Sequence, residues 1–239
     1  MNARTLGTGL GCLLALWVAV APDRADAKTP AKDTPVALPT PDRAGTMPLE
    51  QAMAQRRSIR TLSGDPIPVG ALSQLLWAAQ GVTDDQGHRT TPSARATYPL
   101  DVLAVVGRVE GMAPGIYRYD PAGHALLPVQ KGERLKAFVH ETFGQAWALD
   151  AAVILVITAT PERARAKMGD RAGRFAGLGS GLASQNVLLQ VTTLGLGSTF
   201  VGGFDPDKAG AFLGLLPGQT VHAILPIGVR EPARTKRPE

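Results

Sequence analysis

The residues best suited to chemistry form a basic turn near the start of the presumed folded body. Two adjacent arginines, Arg56 and Arg57, are followed by Ser58 and, two positions later, by Arg60. A planar guanidinium group matches the oxygens of a phosphate bidentately, and a serine hydroxyl adds a neutral donor. This segment therefore predicts a phosphate-binding site. The alternative is an ordinary basic helix end, because helices commonly finish in arginines.

A second polar group of residues lies in the C-terminal half of the chain. Gln185 and Asn186 interrupt an apolar segment that predicts a long helix, and Gly202 and Gly203 follow a short predicted strand. Two adjacent glycines let a ligand ring approach backbone N–H groups closely, because no Cβ stands in the way. The glycine pair therefore predicts a contact with a planar ligand.

Other familiar chemistries lack their residues in this sequence. The only cysteine is Cys12, near the N-terminus, and the four histidines are too far apart for a metal site. A serine-hydrolase elbow is missing. Gly177, Gly179 and Gly181 lack the preceding strand and the later acidic residue of a dinucleotide-binding turn. We therefore expect no metal, and we expect a bound organic cofactor to supply the chemistry.

The composition is that of a globular protein, with 44% apolar and 19% charged residues. The formal net charge is +5, but the basic residues are scattered along the chain. No run of Lys and Arg is interleaved with aromatic residues, so we expect no nucleic-acid partner.

The elements that must position these residues alternate irregularly along the chain. Amphipathic or apolar runs predict helices at residues 49–55, 71–79, 133–143, 175–194 and 206–213. Runs rich in β-branched residues predict strands at residues 102–106, 116–119, 125–129, 151–159, 198–201 and 221–227. The strand at 151–159 is expected to be buried on both faces. The pattern predicts one domain of the α+β class.

The first residues of the chain predict export. Arg4 precedes an apolar run at residues 10–21, and residues 25–27 read Ala-Asp-Ala, the small-x-small pattern of a signal-peptidase site. We expect residues 1–27 to be a cleaved signal peptide that leaves a periplasmic or secreted chain starting at Lys28. The alternative is an uncleaved membrane anchor.

Beyond the predicted signal peptide, two further regions are distinguished by composition. Residues 28–47 are rich in Pro, Thr and Ala without apolar periodicity, which predicts a flexible linker. Residues 48–239 are predicted to form the folded domain. Their apolar runs are too short or interrupted for a membrane span, so we expect no stable span after signal cleavage.

Several segments, taken in order, resemble the nitroreductase superfamily. They are RRSIR at residues 56–60, QNVLLQ at 185–190, LGLGS at 194–198, GGFD at 202–205 and PIGV at 226–229. The segments most similar to the SagB-type branch, the thiazole- and oxazole-forming dehydrogenases, are RTTPSARATYPL at 89–100, GIYRYDP at 115–121 and HAL at 124–126. The resemblance extends from Leu49 to Arg230. It implies a nitroreductase-like fold, in which helices flank a central, mostly antiparallel sheet, and an obligate homodimer.

The resemblance also implies FMN, bound between the two subunits. Arg56, Ser58 and Arg60 would hold the FMN phosphate, and Ser93 would face the flavin from the partner subunit. A glycine pair would present N–H groups to the flavin edge where hydride arrives, which polarises the ring. The residues for which the resemblance implies cofactor contact are Arg56, Arg57, Ser58, Arg60, Pro92, Ser93, Ala94, Gln185, Asn186, Gly202, Gly203, Arg230, Lys236 and Arg237.

Two positions depart from the family's pattern. Arg95 replaces the glycine of a common P-S-A-G-A turn; the replacement is unfavourable if that backbone needs a positive φ, and otherwise inserts a cation near the substrate. Lys167 and Met168 stand where the azoline-oxidising branch has a Lys-Tyr pair. Azoline oxidation is therefore not expected. Lys167 is a candidate catalytic proton donor, and its alternative is a solvated surface lysine.

These observations predict an exported FMN-dependent oxidoreductase. It would pass hydride or electrons, in ping-pong fashion, from a reduced donor or organic substrate to an acceptor. The acceptor would be a nitroaromatic or a quinone, or the reaction would be the dehydrogenation of a peptide or small molecule. Two alternatives remain open: a flavin-binding protein of the same fold without turnover, serving as a binding or interaction module, and a periplasmic binding module without flavin. The basic turn and the glycine pair favour a bound flavin.

Overall fold

A seven-stranded sheet organises residues 34–231, the part of the chain that the computed structural model describes. The strands are β1 (Val36–Ala37), β2 (Leu100–Val106), β3 (Gly115–Asp120), β4 (Ala125–Lys131), β5 (Val153–Ala159), β6 (Leu196–Ser198) and β7 (Thr220–Val229). Their order across the sheet is β1-β4-β3-β2-β5-β7-β6, and every neighbouring pair is antiparallel. The predicted α+β class and the mostly antiparallel sheet are confirmed.

Helices cover both faces of this sheet. They are α1 (Leu49–Gln55), α2 (Val69–Gln80), α3 (Leu135–Thr142), α4 (Glu162–Met168), α5 (Ala172–Thr193) and α6 (Pro206–Leu213). The apolar residues of α2 and α5 pack on one face, and those of α3 and α6 pack on the other. Between residues 34 and 231, no helix combines the length and the apolar character needed to cross a membrane.

The central strand β5 divides the core in two. Val153, Leu155 and Ile157 belong to the apolar cluster under α2 and α5, whereas Ile154 and Val156 belong to the cluster under α3 and α6. Successive side chains of a strand point to opposite faces, so a strand that is covered on both sides must be apolar throughout. The expected burial on both faces is confirmed.

The long helix α5 shows one buried stripe. Ala176, Ser180, Ala183, Val187 and Val191 are all buried, and they recur every three or four residues. This spacing places them on one face of a helix. Most of these side chains are small, so α5 lies close against the sheet.

The strand before the glycine pair is shorter than predicted and begins earlier. Residues 198–201 were expected to form it, but β6 ends at Ser198, and Val201 makes only an isolated antiparallel bridge to Ile224. Gly197 explains the early start, because a Cβ there would lie 2.8 Å from Leu62 Cδ2. Only glycine permits this close approach.

The folded unit begins before Pro48. We name residues 34–47 the strap, because they contact the domain along their length. Within the strap, β1 pairs with β4, and the backbone N–H of Asp42 donates to Gln74 Oε1 at 2.8 Å. Gln74 Nε2 donates in return to the carbonyl oxygen of Asp42 at 2.9 Å. The flexible-linker prediction is therefore wrong for residues 34–47. The signal peptide at 1–27 and the first residues of the linker lie outside the described residues.

A polar chain of side chains also anchors the strap. The Ser73 hydroxyl donates to the carbonyl oxygen of Pro39 and lies 2.7 Å from His124 Nε2. The other ring nitrogen of His124 lies 2.8 Å from the Tyr119 hydroxyl. Burial raises the pKa of Tyr119, which keeps its hydroxyl protonated and able to donate. Low apolar periodicity concealed these contacts, because backbone groups and polar side chains make them.

We predict that Gln74→Leu loosens the strap. The substitution removes both hydrogen bonds to Asp42, and an ordinary hydrogen bond contributes about 0.5–1.5 kcal/mol to stability. The melting temperature should fall by roughly 2–4 °C per kcal/mol for a domain of this size, and trypsin should cut faster after Arg43. Differential scanning calorimetry and timed proteolysis measure the two effects.

The matched control is Gln51→Leu, which alters an exposed glutamine on α1. Equal melting temperatures and equal cleavage rates for the two variants would show that the Gln74 amide does not hold the strap.

Candidate functional site

The basic segment runs along the edge of the sheet. Helix α1 ends at Gln55, and the chain after it is extended, beginning with φ −55° and ψ 123° at Arg56. The N–H of Ile59 donates to the carbonyl oxygen of Ser198 at 2.8 Å, which ties the segment to β6. Ile59 is half-buried, and its neighbours Ser58 and Arg60 are exposed. This alternation turns Ser58 and Arg60 to solvent.

The end of β7 brings a further arginine to the same edge. Leu62 pairs with Arg230 in an antiparallel bridge, and the N–H of Glu231 donates to the carbonyl oxygen of Thr61 at 3.1 Å. Arg230 therefore lies across from the segment that carries Arg60. The structure thus brings together these two residues of the predicted phosphate site, while Lys236 and Arg237 lie outside the described residues.

The donors of this edge differ in their availability. Within residues 34–231, the side chains of Arg56, Ser58, Arg60 and Arg230 make no hydrogen bond or ion pair. The guanidinium of Arg57 instead donates to the carbonyl oxygens of Ala54 and Arg56, at 2.9 and 2.7 Å, and so caps the end of α1. Three free guanidinium groups and a hydroxyl are a donor set that fits a phosphate dianion. The Arg57 side chain is therefore engaged at the end of α1 rather than in the phosphate donor set.

The glycine pair continues the same edge. Gly202 and Gly203 are exposed, and neither backbone N–H donates to any residue between 34 and 231. The space that a Cβ of Gly203 would occupy is open. Four residues separate Ser198 from Gly202, a span of at most about 14 Å. The donors at residues 56–60 and the two free N–H groups therefore lie on two segments joined at Ile59 and Ser198, an arrangement that fits FMN, which has a phosphate at one end and ring acceptors at the other.

The turn at residues 92–98 is strained. Arg95, Ala96 and Tyr98 have φ values of 51°, 52° and 42°. L-residues in this left-handed region carry a penalty of about 1–2 kcal/mol each. The backbone of the P-S-A-R-A turn therefore does need the positive φ that glycine adopts freely. The Tyr98 N–H donates to Ser93 Oγ at 2.8 Å, which closes the turn and leaves the Ser93 hydroxyl hydrogen available.

Two side chains hold this turn in place. The guanidinium of Arg89 lies 4.3 Å from the ring centroid of Tyr98 and donates to Gln80 Oε1 at 3.0 Å. Burial lowers the pKa of Arg89. Asn186 Nδ2 donates to the Thr90 carbonyl oxygen and the Thr91 hydroxyl, at 3.2 and 3.1 Å.

These contacts change two expectations from the sequence. Asn186 was predicted to bind the cofactor, but its amide nitrogen is engaged within the fold. Arg89 was given no role. Its stacking partner stands nine residues later, at a separation that matches neither helical nor strand periodicity, so no sequence signal marks it.

Helix α4 packs against the turn from one side. Lys167 Nζ donates to the carbonyl oxygen of Arg95 at 3.2 Å, and Lys167 is exposed. Met168 is 8% exposed and packs in an apolar cluster with Ala94 and Phe175 nearby. The residue that replaces the family's tyrosine is therefore a packing residue. Lys167 supports the strained turn, and it could also move a proton at its solvent side.

The predicted site residues do not all meet within one protomer. Inside the described range, no hydrogen bond or ion pair joins the turn at 92–98 to residues 56–60 or to the glycine pair. Gln185 is exposed on α5, and its side chain has no polar partner in the same range. The expectation that Ser93 faces a flavin held by a partner subunit stays a prediction.

A wide groove lies elsewhere in the described residues. It measures about 840 Å³ and is lined by the strap and by α1, α2 and α5. Of the predicted site residues, only Asn186 lines it. Its cation, Arg43, donates to the Thr83 carbonyl oxygen, and its other charged residue is Asp42, which does not suit a phosphate. Residues 34–231 also contain no group of three or more potential metal ligands.

Comparisons with known proteins agree with this fold. A protein of Methanocaldococcus jannaschii, named as a candidate nitroreductase, is 38% identical over 156 residues, which cover 65% of this chain and 79% of that protein. The crystal structure of a candidate nitroreductase from Ralstonia eutropha is 27% identical, with a TM-score of 0.73 over 84% of this chain and 92% of that chain.

A candidate nitroreductase from Desulfovibrio desulfuricans, solved in complex with FMN, is 21% identical, with a TM-score of 0.56 over 80% of this chain and 92% of that chain. At this identity the likeness concerns the fold alone. The model of the Nitroreductase family matches residues 53–229, which include the basic edge, the strained turn, α5 and the glycine pair. The chain therefore belongs to the nitroreductase family.

Proposed function

We propose that this protein is an exported, homodimeric, FMN-dependent oxidoreductase. The observation that supports it best is the edge that carries both the free donors of Arg56, Ser58, Arg60 and Arg230 and, beyond Ser198, the free N–H groups of the glycine pair. Members of the nitroreductase family are typically FMN-dependent oxidoreductases. The substrate class is a small organic molecule or peptide, with a nitroaromatic or a quinone as the acceptor, and the SagB-type branch is the proposed placement within the family.

The residues of the edge would have different roles in binding FMN. FMN, when bound, supplies an acceptor and donor of hydride. Arg56, Ser58 and Arg60 would hold its phosphate, with Arg230 beside them. The N–H groups of the glycine pair would donate to the ring edge that gains negative charge as hydride arrives, which stabilises that charge. Lys167 would hold a proton at its solvent-facing Nζ.

We predict that the chain from Lys28 binds FMN with visible flavin absorption, and that Arg56→Ala and Ser58→Ala weaken this binding. Hydrogen bonds to charged groups contribute about 1.5–3 kcal/mol each, so Arg56→Ala should raise the Kd for FMN about 10- to 100-fold. Titration followed by absorbance measures the change.

Arg134→Ala serves as the control, because it removes an exposed arginine that precedes α3 on the opposite face of the sheet. A colourless protein that ignores added FMN would overturn the proposed function. Equal Kd values for Arg56→Ala and Arg134→Ala would show that the phosphate is held elsewhere.

A second candidate function is a flavin-binding protein without turnover. It is favoured by Met168, which packs in an apolar cluster where azoline-oxidising relatives have a phenol. Reoxidation of the reduced, FMN-loaded protein by a quinone distinguishes the two, because an enzyme reacts much faster than free reduced FMN, whereas a pure binding module does not.

The outer face of α5 supports the proposed homodimer. Leu178 and Leu182 are 53% and 48% exposed and stand one helical turn apart. A Cβ at Gly177 or Gly181 would meet nothing within 4 Å, so a neighbouring chain could approach closely. Exposed apolar side chains beside small residues suit a helix of a second copy.

We predict that Leu178→Asp with Leu182→Asp converts the dimer to a monomer and weakens FMN binding, because carboxylates cannot be buried unpaired in an apolar contact. Analytical ultracentrifugation gives the mass. Leu216→Asp, at a side chain that is 68% exposed away from α5, should leave the dimer intact. A dimer that survives the double substitution would place the interface elsewhere.

Export also remains a proposal, because its residues lie outside the described part of the chain. We predict that the protein isolated from its native host begins at Lys28 and fractionates with periplasmic or secreted proteins. N-terminal sequencing tests this, and an intact Met1 in the cytoplasmic fraction would contradict it.

A further inference from the structure

Arg95 combines an unfavourable backbone with an unused side chain. Its φ of 51° and ψ of 31° lie in the left-handed region, which glycine occupies without strain. Its guanidinium is exposed, and it makes no hydrogen bond, ion pair or ring contact with any residue between 34 and 231. No contact within residues 34–231 uses the guanidinium, so its role lies in a contact with another molecule or with a second subunit.

Two further cations lie around Arg95. Lys167 Nζ is 3.2 Å from the Arg95 carbonyl oxygen. Arg171 lies over the ring of Phe175, 5.9 Å from its centroid, and Phe175 packs near Ala94 of the turn. These three side chains give the outer side of the turn a positive character.

The acidic residues of this region are paired with other cations. Asp101 lies 2.7 Å from Arg163, and Glu162 and Asp170 lie 2.6 and 3.6 Å from Arg165. In the described part of the chain, Arg95, Lys167 and Arg171 therefore have no carboxylate partner. Such a group of exposed cations attracts and orients an anion.

We infer that Arg95, supported by Lys167 and Arg171, recognises a substrate that carries a carboxylate. A guanidinium binds a carboxylate bidentately and fixes its orientation as well as its position. The inference rests on the proposed function, in which the turn at residues 92–98 faces the flavin. Arg95 is then a specificity-determining residue, and the strain of its backbone is retained because the side chain must project from that point of the turn.

The test compares two probes of nearly equal shape that differ in charge, 4-nitrobenzoate and 4-nitrobenzamide. Each is titrated into the oxidised, FMN-loaded full chain by calorimetry, without an electron donor. The wild-type protein should bind the carboxylate about 10-fold more tightly than the amide. Arg95→Gln should abolish this preference, Arg95→Lys should retain part of it, and the distant control Arg134→Gln should leave it unchanged.

A second measurement uses Arg95→Gly. The melting temperature should rise by about 2–4 °C because glycine relieves the left-handed backbone, while the preference for the carboxylate disappears. A variant that is more stable and less selective cannot be explained by misfolding.

Three results would overturn the inference. The first is equal affinity of the wild-type protein for both probes, and the second is an unchanged preference in Arg95→Gln. The third is dissociation of the dimer in Arg95→Gln with the preference intact, which assigns the guanidinium to a subunit contact. Failure of the proposed function is seen separately, because a chain without FMN affinity shows no flavin absorption, and calorimetry still reports whether the carboxylate is preferred.

Discussion

The backbone contact between residues 59–63 and the ends of β6 and β7 is the constraint on which the candidate site depends. A hydrogen bond from Ile59 to Ser198 fixes the register, and Gly197 permits the approach by lacking a side chain. Because strand side chains alternate, this one register turns Ser58 and Arg60 outward and the apolar Ile59 toward the fold. A slip by one residue would exchange the two sets, burying charges and exposing the apolar side chain.

The rest of the fold makes that edge rigid. Strand β5 is buried on both faces, and β7 pairs with it along its length. Because Arg230 follows β7 directly, the core of the domain fixes the position of its backbone. The strained turn is held differently, by the stacking of Arg89 on Tyr98 and by the amide of Asn186. One region of the site is thus fixed by the backbone ladder, and the other by side chains.

Apolar periodicity in the sequence predicted the helices and strands whose buried faces it marks. The helix at 71–79, the hairpin around Asp120 and the strand at 151–159 were found within a few residues, because apolar periodicity marks which face is buried. The basic turn and the glycine pair were recognised by residue type, and the structure places them along one edge. Their contact with FMN stays a prediction. Arg95 was identified as a departure, and its positive φ matches the penalty that was expected.

Long-range polar contacts were not predictable in this way. The strap was read as a linker because proline and threonine obscure periodicity, whereas Gln74 holds it through the backbone of Asp42. The family resemblance assigned Asn186 to the cofactor, whereas its hydrogen-bond partners stand 95 and 96 residues away in the sequence. A sequence shows that such a side chain needs a partner, but it does not show which partner.

The strap has a mechanical consequence. A displacement of the chain at β1 reaches α1, and through it Arg56, only after β1 has separated from β4 and both hydrogen bonds between the Gln74 amide and Asp42 have broken. These bonds lie more than a hundred residues from the glycine pair in sequence, yet they help to hold α1, and with it Arg56, against the domain. Arg56 thus lies between two attachments of the chain, the strap before it and the hydrogen bond from Ile59 to Ser198 after it.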